Sequence, residues 1–262
     1  MIKYDLTKPP LGSLPSYGHP LAQGLVGLWL MNEGAGDKVY DLSGNGNTGT
    51  FVSDPIWSVG KFGPTIYCDG GVAYLDCGAG SSLNFDSGSQ DFSVVVWQAF
   101  DNPAASNHSS VSRLDGGNDG WIFRTISGVP WLSLDSKDVK AATAISDTGY
   151  HCLAVTIARA GNGQVYIDGI ASGNPVAIAS EAMVTTANTR IGGSVDGHFC
   201  LGNISHVYIY NRALSASEIQ ELYREPFCMF DRDPIELWSA ATLGAAAAGT
   251  ILPQITNAYM GI

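Results

Sequence analysis

Basic residues are scarce in this 262-residue sequence: 13 lysines and arginines stand against 24 aspartates and glutamates, which gives a formal net charge of −11. The basic residues do not cluster anywhere along the chain. Binding to nucleic acids depends on a basic surface that neutralises phosphates, and binding to anionic membranes depends on a similar surface. The composition therefore argues against nucleic acids and membrane surfaces as partners.

Cysteine is also rare, and its five copies are widely spaced. The sequence contains no CxxC pair and no Cys/His group with the spacing of a zinc site. Cys68, Cys152 and Cys200 lie in apolar, strand-like runs, where cysteine behaves as a small hydrophobic residue. We therefore expect buried free thiols. The alternative is a bridge between Cys68 and Cys77, which lie in adjacent strand-like runs.

Long apolar segments of the targeting type are missing as well. The first residues contain no apolar core of a secretory signal, which predicts synthesis in the cytoplasm without that signal. The longest apolar run, residues 237–252, is shorter than the about 20 residues that span a membrane as a helix. We expect no membrane span. Such a run must be covered by the protein itself or by a neighbouring chain.

Known catalytic signatures are absent from the sequence. It contains neither a G-x-S-x-G nucleophile motif nor an H-E-x-x-H metal motif. It also lacks the closely spaced carboxylates on one strand that would indicate a glycoside hydrolase, and its five histidines are scattered. We therefore predict no catalytic residues and no enzymatic activity.

Glycine and proline, in contrast, are abundant, at 32 and 12 copies. They separate short runs that are rich in β-branched and aromatic residues, a pattern typical of strands joined by turns. The clearest of these runs are residues 24–31, 92–100, 120–126, 129–135, 151–158, 163–170 and 206–211. Because no helices alternate with them, the pattern predicts an all-β fold of two antiparallel sheets stacked as a sandwich.

One short helix is predicted after the last of these runs. Ser215 and Glu218 have the spacing of a capping box. Ile219 and Leu222 form an apolar stripe, and Pro226 ends the helix. We expect this helix to close one end of the sandwich.

Three segments are especially informative in combination. They are GLVGLWLMNEGAGDKVYDLSGNGNTGTF at residues 24–51, YHCLAVTIARAGNGQVYIDGIASG at 150–173 and GNISHVYIYNRALSASEIQELYREP at 202–226. Their order resembles that of laminin-G-like domains of the concanavalin A-like jelly-roll family. The resemblance covers residues 24–226 and implies a jelly-roll fold.

The resemblance divides the chain into three parts. Residues 1–23, rich in proline, glycine and serine, form a predicted extended N-terminal arm. Residues 24–226 form the laminin-G-like jelly-roll domain. Residues 227–262 form an apolar C-terminal tail that we interpret as an assembly segment.

The resemblance also implies a structural calcium ion. Its ligands follow the first strand, where this sequence has Glu33 and Asp41, and precede the last strand, where Ser205 stands in place of the usual aspartate. Calcium takes six to eight oxygen ligands, so the missing carboxylate weakens the site. The alternative for the loop DLSGNGNTGTF, residues 41–51, is a tight turn in which Asp41 caps the backbone.

Members of this family serve in glycan binding, adhesion, assembly and hydrolysis, so the fold alone does not decide the function. Sugar binding requires exposed aromatic rings next to polar groups. We predict a glycan-binding set made of Trp121, Trp131, Arg124, Asn118 and Asp119. The alternative is that one or both tryptophans belong to the core.

Two functions are expected from these observations. The first is a non-catalytic structural component of a phage virion surface, a capsid decoration protein. It is expected because the sequence has no secretory signal and no catalytic set, and because an extended arm and an apolar tail lie outside the domain. The domain also resembles those met in phage genomes. Its arm and tail would then hold capsid chains or other copies of itself in a homo-oligomer such as a trimer. The second is a carbohydrate-binding or adhesion module that recognises surface polysaccharide.

Overall fold

The structure is a computed structural model that describes residues 6–53, 56–85, 90–104, 107–116, 119–134, 137–178, 183 and 185–230. The strands are β1 (Leu25–Trp29), β2 (Lys38–Val39), β3 (Gly49–Val52), β4 (Ile56–Gly60), β5 (Gly63–Asp69), β6 (Tyr74–Asp76), β7 (Phe92–Phe100), β8 (His108–Leu114), β9 (Gly120–Ile126), β10 (Val129–Leu134), β11 (Lys137–Lys140), β12 (Tyr150–Ile157), β13 (Asn162–Ile167), β14 (Ile170–Ala177), β15 (Arg190–Ile191) and β16 (Leu201–Tyr210). One α-helix, α1 (Ala216–Arg224), follows them. The apolar run at 237–252 lies outside the described residues.

The strands form two antiparallel sheets. Sheet 1 has the order β14-β13-β12-β7-β16-β5-β4, and β1 pairs with the second half of β16. Sheet 2 has the order β11-β10-β9-β8-β15-β6-β3-β2. Neighbours in each sheet are often distant in sequence, because the chain crosses repeatedly from one sheet to the other. The predicted two-sheet antiparallel jelly-roll sandwich is confirmed.

The main core lies between the two sheets, and strand alternation builds it. On β10, Leu132 and Leu134 are fully buried, whereas the intervening Trp131 and Ser133 are only half-buried. Successive side chains of a strand point to opposite faces, so Leu132 and Leu134 face the core. The other two side chains therefore lie on the outer face of sheet 2.

The outer face of sheet 1 is covered by a second apolar cluster. Leu21, from the segment before β1, and Ile219 and Leu222, from α1, pack in one cluster with Trp97 and Tyr208 of sheet 1. This explains why every residue of β7 is buried, since both faces of that strand are covered. The helix thus lies over a sheet face, and the expectation that it closes one end of the sandwich is wrong.

Local sequence signals set the start of α1, as predicted, and the turn between β13 and β14. The side chain of Ser215 accepts from the backbone N–H of Glu218, while the Glu218 carboxylate accepts from the backbone N–H of Ser215, which completes the capping box. Asp168 and Gly169 have φ angles of 51° and 80°, and they form the tight turn between β13 and β14. No helix in the described part of the chain has the length and apolar character needed to cross a bilayer.

The described residues of the N-terminal segment contact the body of the same chain. The backbone N–H of Lys8 donates to the carbonyl of Phe62 at 3.1 Å, and that of Ser16 donates to the carbonyl of Met229 at 2.7 Å. Leu21 is fully buried. Residues 6–23 are therefore attached to the domain at several points, whereas Leu11, Leu14 and Tyr17 are exposed.

All five cysteines are free thiols, as predicted, and Cys68 and Cys77 are not bridged. Cys68, Cys77, Cys152 and Cys200 are buried. Burial raises the pKa of Cys77 and Cys152 well above the usual value, which keeps both thiols neutral and unreactive.

Candidate functional site

The outer face of sheet 2 is only partly covered. Residues 192–200 lie over its middle strands, where the Ser112 hydroxyl donates to the carbonyl of Gly193 at 2.8 Å. Towards β10 and β11, the side chains on this face are half-buried or exposed. This open part of the sheet is the candidate functional site.

The strand register places an aromatic ring between two cations on this face. Trp131 on β10 lies opposite Arg124 on β9 and opposite Lys140 on β11. Ser133, two residues further along β10, lies opposite Asp138 on β11. Because paired residues point to the same face, these five side chains form one group, which we call the Trp131 face.

The indole of Trp131 is covered by a lysine that the neighbouring strand supplies. The Nζ atom of Lys140 lies 3.4 Å from the ring centroid of Trp131 and 3.4 Å from Oδ2 of Asp138. Burial raises the pKa of Asp138, but the nearby Trp131 N–H, Ser133 and the Lys140 ammonium outweigh it and lower that pKa. The Trp131 N–H itself lies outside regular hydrogen-bond geometry. The ion pair and the cation–π contact together hold Lys140 over the ring.

The second cation of the Trp131 face is paired with a carboxylate from residues 192–200, which we call the covering loop. One terminal nitrogen of Arg124 lies 3.5 Å from Oδ2 of Asp196, and the other lies 3.5 Å from the Ser133 hydroxyl. His198 approaches the same Asp196 oxygen at 3.5 Å. Each cation therefore has its own carboxylate, and the face carries balanced charge around its aromatic ring.

The structure brings together only part of the predicted glycan-binding set. Trp131 and Arg124 are neighbours, as expected. The prediction that Trp121 belongs to a glycan-binding surface is wrong. Its side chain is 1% exposed and packs in the core, with its ring centroid 5.6 Å from that of Phe92. It precedes Arg124 by an odd number of residues on the same strand, so the two side chains point to opposite faces.

The two remaining members of that set do not contribute to the Trp131 face. Asp119 is exposed in the turn between β8 and β9, where its N–H donates to Asp115 at 3.0 Å. Asn118 lies outside the described residues. Sequence reasoning missed Ser133, Asp138, Lys140 and Asp196. The alternating KDVK of β11 is a signal that could have identified Lys140 and Asp138, whereas Asp196 comes from a distant loop without any local signal.

Asp41, a predicted calcium ligand, has its carboxylate occupied by N–H donors. Oδ1 accepts from the backbone N–H groups of Leu28 at 3.0 Å and Ser43 at 2.9 Å. Oδ2 accepts from the backbone N–H and the side-chain amide of Asn47 at 2.9 and 3.1 Å. Donor hydrogens directed at both oxygens leave no place for a metal ion. The loop at 41–51 is therefore a tight turn organised by Asp41.

The other two predicted calcium ligands do not complete a metal site. Glu33 accepts from the backbone N–H of Tyr40 at 2.8 Å through Oε1. Ser205 directs its carbonyl oxygen at the Lys8 ammonium, 2.8 Å away. The Ser205 carbonyl is thus already bound by a cation of the protein itself. With Asp41 also committed to its turn, Glu33, Asp41 and Ser205 do not fit a calcium ion.

One other group of potential metal ligands exists in the described ranges. His19, Glu221 and Cys228 have their ligand atoms within 4.8 Å of one another. The Nδ1 atom of His19, however, accepts from the backbone N–H of Leu21 at 3.1 Å and caps a short 3₁₀ turn. The remaining ring nitrogen then carries the proton in the neutral form, which is unfavourable for metal binding.

Two histidines of sheet 1 have structural surroundings. His206 is fully buried, with its ring stacked on Trp97 at 4.2 Å. Burial, assisted by the Lys8 charge, lowers the pKa of His206 well below the usual value. His151 contacts Asp168 at 2.8 Å, and this hydrogen bond, against burial, raises the pKa of His151.

A small cavity opens on the outer face of sheet 1. Its volume is about 210 Å³, and it is lined by Leu6, Lys61, Phe62, Trp97, Tyr150, Cys152, Tyr223 and Arg224. Ligand pockets usually have volumes of about 300–1,000 Å³, so this cavity is small for an oligosaccharide. The Trp131 face is the better candidate.

Comparison with family models yields a match that extends over more than half of the chain. The model described as the concanavalin A-like lectin/glucanases superfamily matches residues 69–220. These residues include most of both sheets and all five members of the Trp131 face. No curated protein sequence matches the chain.

Several solved structures share the fold. The binding domain of Paraclostridial Mosquitocidal Protein 1 is 19% identical, with a TM-score of 0.61, over 78% of this chain and 52% of that one. The binding domain of botulinum neurotoxin DC, solved with rat synaptotagmin II, is 12% identical, with a TM-score of 0.59, over 78% and 52%. The chain thus spans about half the length of these toxin domains.

A third structure is close to this chain in size. Domain 4 of AbnA, a GH43 extracellular arabinanase from Geobacillus stearothermophilus, was solved in complex with arabinotriose. It is 17% identical, with a TM-score of 0.59, and the match covers 76% of this chain and 98% of that domain. All three similarities concern the fold.

Proposed function

The chain belongs to the concanavalin A-like lectin/glucanases superfamily, and from this premise we propose that it is a non-catalytic module that binds surface polysaccharide through the Trp131 face. The observation that carries the proposal is the position of Trp131. It is a half-buried indole on an open sheet face, with polar side chains on both sides.

The Trp131 face has the two kinds of group that a sugar requires. A pyranose or furanose ring offers C–H groups that pack on an aromatic ring, and hydroxyls that need polar partners. Arg124 supplies donors, while Asp138 and Asp196 supply acceptors. These three groups lie on or beside one face and need no rearrangement of the backbone to reach a ligand, although the Lys140 side chain must move off the ring.

The charge balance of the face favours a neutral polysaccharide. Arg124 is paired with Asp196 and Lys140 with Asp138, both at 3.4–3.5 Å. A uronic acid would have to compete with these carboxylates for the cations. Neutral hydroxyl groups can instead insert between the charges, and binding should depend little on salt.

The fold neighbours support a binding role and suggest the first ligand to try. The arabinanase domain, which matches this chain over 98% of its length, was solved with arabinotriose. The toxin neighbours are also binding domains by name. Arabinan is therefore the first member of the panel, together with other neutral and acidic polysaccharides.

The experiment is affinity electrophoresis of the full chain in gels that contain neutral or acidic polysaccharides. We expect retardation by at least one neutral polysaccharide, with little change when the salt concentration is raised. Retardation only by acidic polysaccharides would contradict the choice of ligand class. Mobility that is unchanged by every polysaccharide in the panel would contradict the proposal itself.

The non-catalytic character has a separate test. Asp138 on the Trp131 face and Asp196 beside it are each engaged with a cation, and we propose that neither acts as a general acid. Incubation of the protein with the retarding polysaccharide should release no reducing ends. Release that disappears on mutation of Asp138 or Asp196 would identify an enzyme instead.

For the location of this module we propose a phage virion surface, with assembly into a homo-oligomer through the C-terminal tail. The observation that favours this role is the uncharged apolar sequence at 237–252, which requires a protein surface to cover it. The tail is the first candidate for capsid or self-contacts, and the N-terminal arm, which exposes Leu11, Leu14 and Tyr17, is the second. Sedimentation of native particles in high salt, followed by mass spectrometry, should find many copies per particle. Recovery only in the light soluble fraction would contradict this location.

A further inference from the structure

Three main-chain carbonyl oxygens converge on the side-chain nitrogen of Lys8. The Nζ atom lies 2.8 Å from the carbonyl oxygen of Ser205 and 3.3 Å from that of Met31, and it also donates to the carbonyl of Pro64. These residues belong to β16, to the segment after β1 and to β5. An ammonium has three N–H donors, so each donor finds one carbonyl. We call these three oxygens the carbonyl cage.

The surroundings of the carbonyl cage suit a single positive charge. Glu33 lies close enough for its carboxylate to raise the pKa of Lys8, and its Oε2 atom is buried without a hydrogen-bond partner. One ammonium and one carboxylate balance each other. Met31 has a φ of 48°, a left-handed conformation that non-glycine residues rarely adopt, so the backbone of the cage is strained.

The lysine is also fixed through its main chain. The backbone N–H of Lys8 donates to the carbonyl of Phe62 at 3.1 Å, and the side chain of Asn32 donates to the carbonyl of Pro9 at 3.1 Å.

Burial lowers the pKa of Lys8 to about 7, against the effect of Glu33. Hydrogen bonds to the charged form of a group favour that form, so the carbonyl cage favours the protonated form of the Lys8 side chain.

A calcium ion and this lysine exclude each other. Calcium binds oxygens at about 2.3–2.6 Å, and the ammonium nitrogen already lies among the oxygens that such an ion would use. Asp41 is committed to its turn. We propose that the Lys8 ammonium is the built-in structural cation of this domain and takes the place of a metal ion at the carbonyl cage.

It follows that the domain is stable without divalent metal and depends on its N-terminal segment instead. Residues 6–9 are then part of the folded domain, because they place the Lys8 ammonium at the three oxygens of the carbonyl cage. Loss of this segment would leave the carbonyls of Met31, Pro64 and Ser205 without their partner. Unsatisfied buried carbonyls are costly.

The test is thermal unfolding of the purified full chain, with a chelator or with millimolar calcium chloride, for the wild type, Lys8→Met and the exposed control Lys38→Met. We expect the wild type and Lys38→Met to unfold at the same temperature in both buffers. Lys8→Met, which keeps an apolar stem of similar length, should unfold about 5 °C lower or more. Lys8→Ala, which also loses the apolar stem, should be destabilised at least as much, with or without calcium.

Three results would overturn the proposal: a wild type destabilised by the chelator, stoichiometric divalent metal in the purified protein, or a Lys8→Met variant as stable as the wild type. If neither Lys8 variant folds, the proposal is tested on the wild type, by comparing the acetylation rates of its lysines with mass spectrometry. Lys8 should then be the slowest of the described lysines to react. Acetylation of Lys8 as fast as that of Lys38 would contradict the carbonyl cage.

Discussion

The His206 ring stacks on the Trp97 indole, with centroids 4.2 Å apart and planes inclined by 27°. Phe62 and Phe227 contact the same imidazole, at 5.2 and 4.9 Å. A charged imidazolium in this aromatic cluster would lose its hydration without gaining a carboxylate. The folded protein therefore keeps His206 neutral, and this has a consequence for stability in acid.

We predict that His206 weakens the protein as the pH falls. Burial lowers its folded pKa well below the ordinary value of 6.5, which the unfolded chain retains. Below that pH the unfolded state binds a proton that the folded state does not. The contribution of neutral His206 to the free energy of unfolding is therefore complete above pH 6.5 and is lost on acidification. Urea unfolding of the wild type should show about 1–2 kcal/mol more loss between pH 7 and pH 5 than His206→Phe.

The control for this prediction is His198→Phe, because His198 is partly exposed on the covering loop of sheet 2. Its pH profile should follow that of the wild type. If the free energy of unfolding falls with pH equally in the wild type and in His206→Phe, another group causes the loss of stability in acid.

Asp41→Ala is predicted to destabilise the protein by about 2–4 kcal/mol, because the turn at 41–51 loses a carboxylate that accepts four hydrogen bonds. Calcium should not change the unfolding temperature of either the wild type or the variant. Asp37→Ala, at an exposed position nearby, is the matched control and should change stability by less than about 0.5 kcal/mol. A calcium-dependent increase in wild-type stability that Asp41→Ala abolishes would indicate a metal loop instead of a turn.

Lys140→Ala is predicted to strengthen binding of a neutral polysaccharide. The Lys140 ammonium lies 3.4 Å from the centroid of the Trp131 ring, and a sugar that stacks there must displace it. An exposed cation–π contact is worth about 0.5–1 kcal/mol, so its removal should lower Kd about two- to fivefold. Lys137→Ala, an exposed lysine on the same strand, serves as the control in the same isothermal titration. Weaker binding by Lys140→Ala would mean that the ammonium is a ligand contact and not a cover.

The sequence predicted the architecture well because the signals for it are local. Strand alternation, the Asp168–Gly169 turn and the Ser215–Glu218 capping box each depend on residues a few positions apart, and each appears in the structure. The two-sheet fold follows from many such signals together.

The candidate site was only partly predictable, because its geometry depends on long-range register. Whether Trp121 or Trp131 faces outward is decided by the pairing of β9 with β10, in which Trp131 lies opposite Arg124. Asp196 reaches Arg124 from 72 residues away. Lys8 meets the Ser205 carbonyl across 197 residues. No local pattern marks a lysine in a proline-rich segment as the partner of three distant carbonyls.

The most direct test of the central claim is the affinity of three proteins for the polysaccharide that retards the wild type most strongly, measured by isothermal titration. They are the wild type, Trp131→Ala and Trp57→Ala; Trp57 is a half-buried tryptophan of sheet 1 that donates to the carbonyl of Gly36. We predict that Trp131→Ala raises Kd about tenfold or more, with an unchanged unfolding temperature, and that Trp57→Ala binds like the wild type. Equal affinities of Trp131→Ala and the wild type would contradict the assignment of the Trp131 face as the binding site.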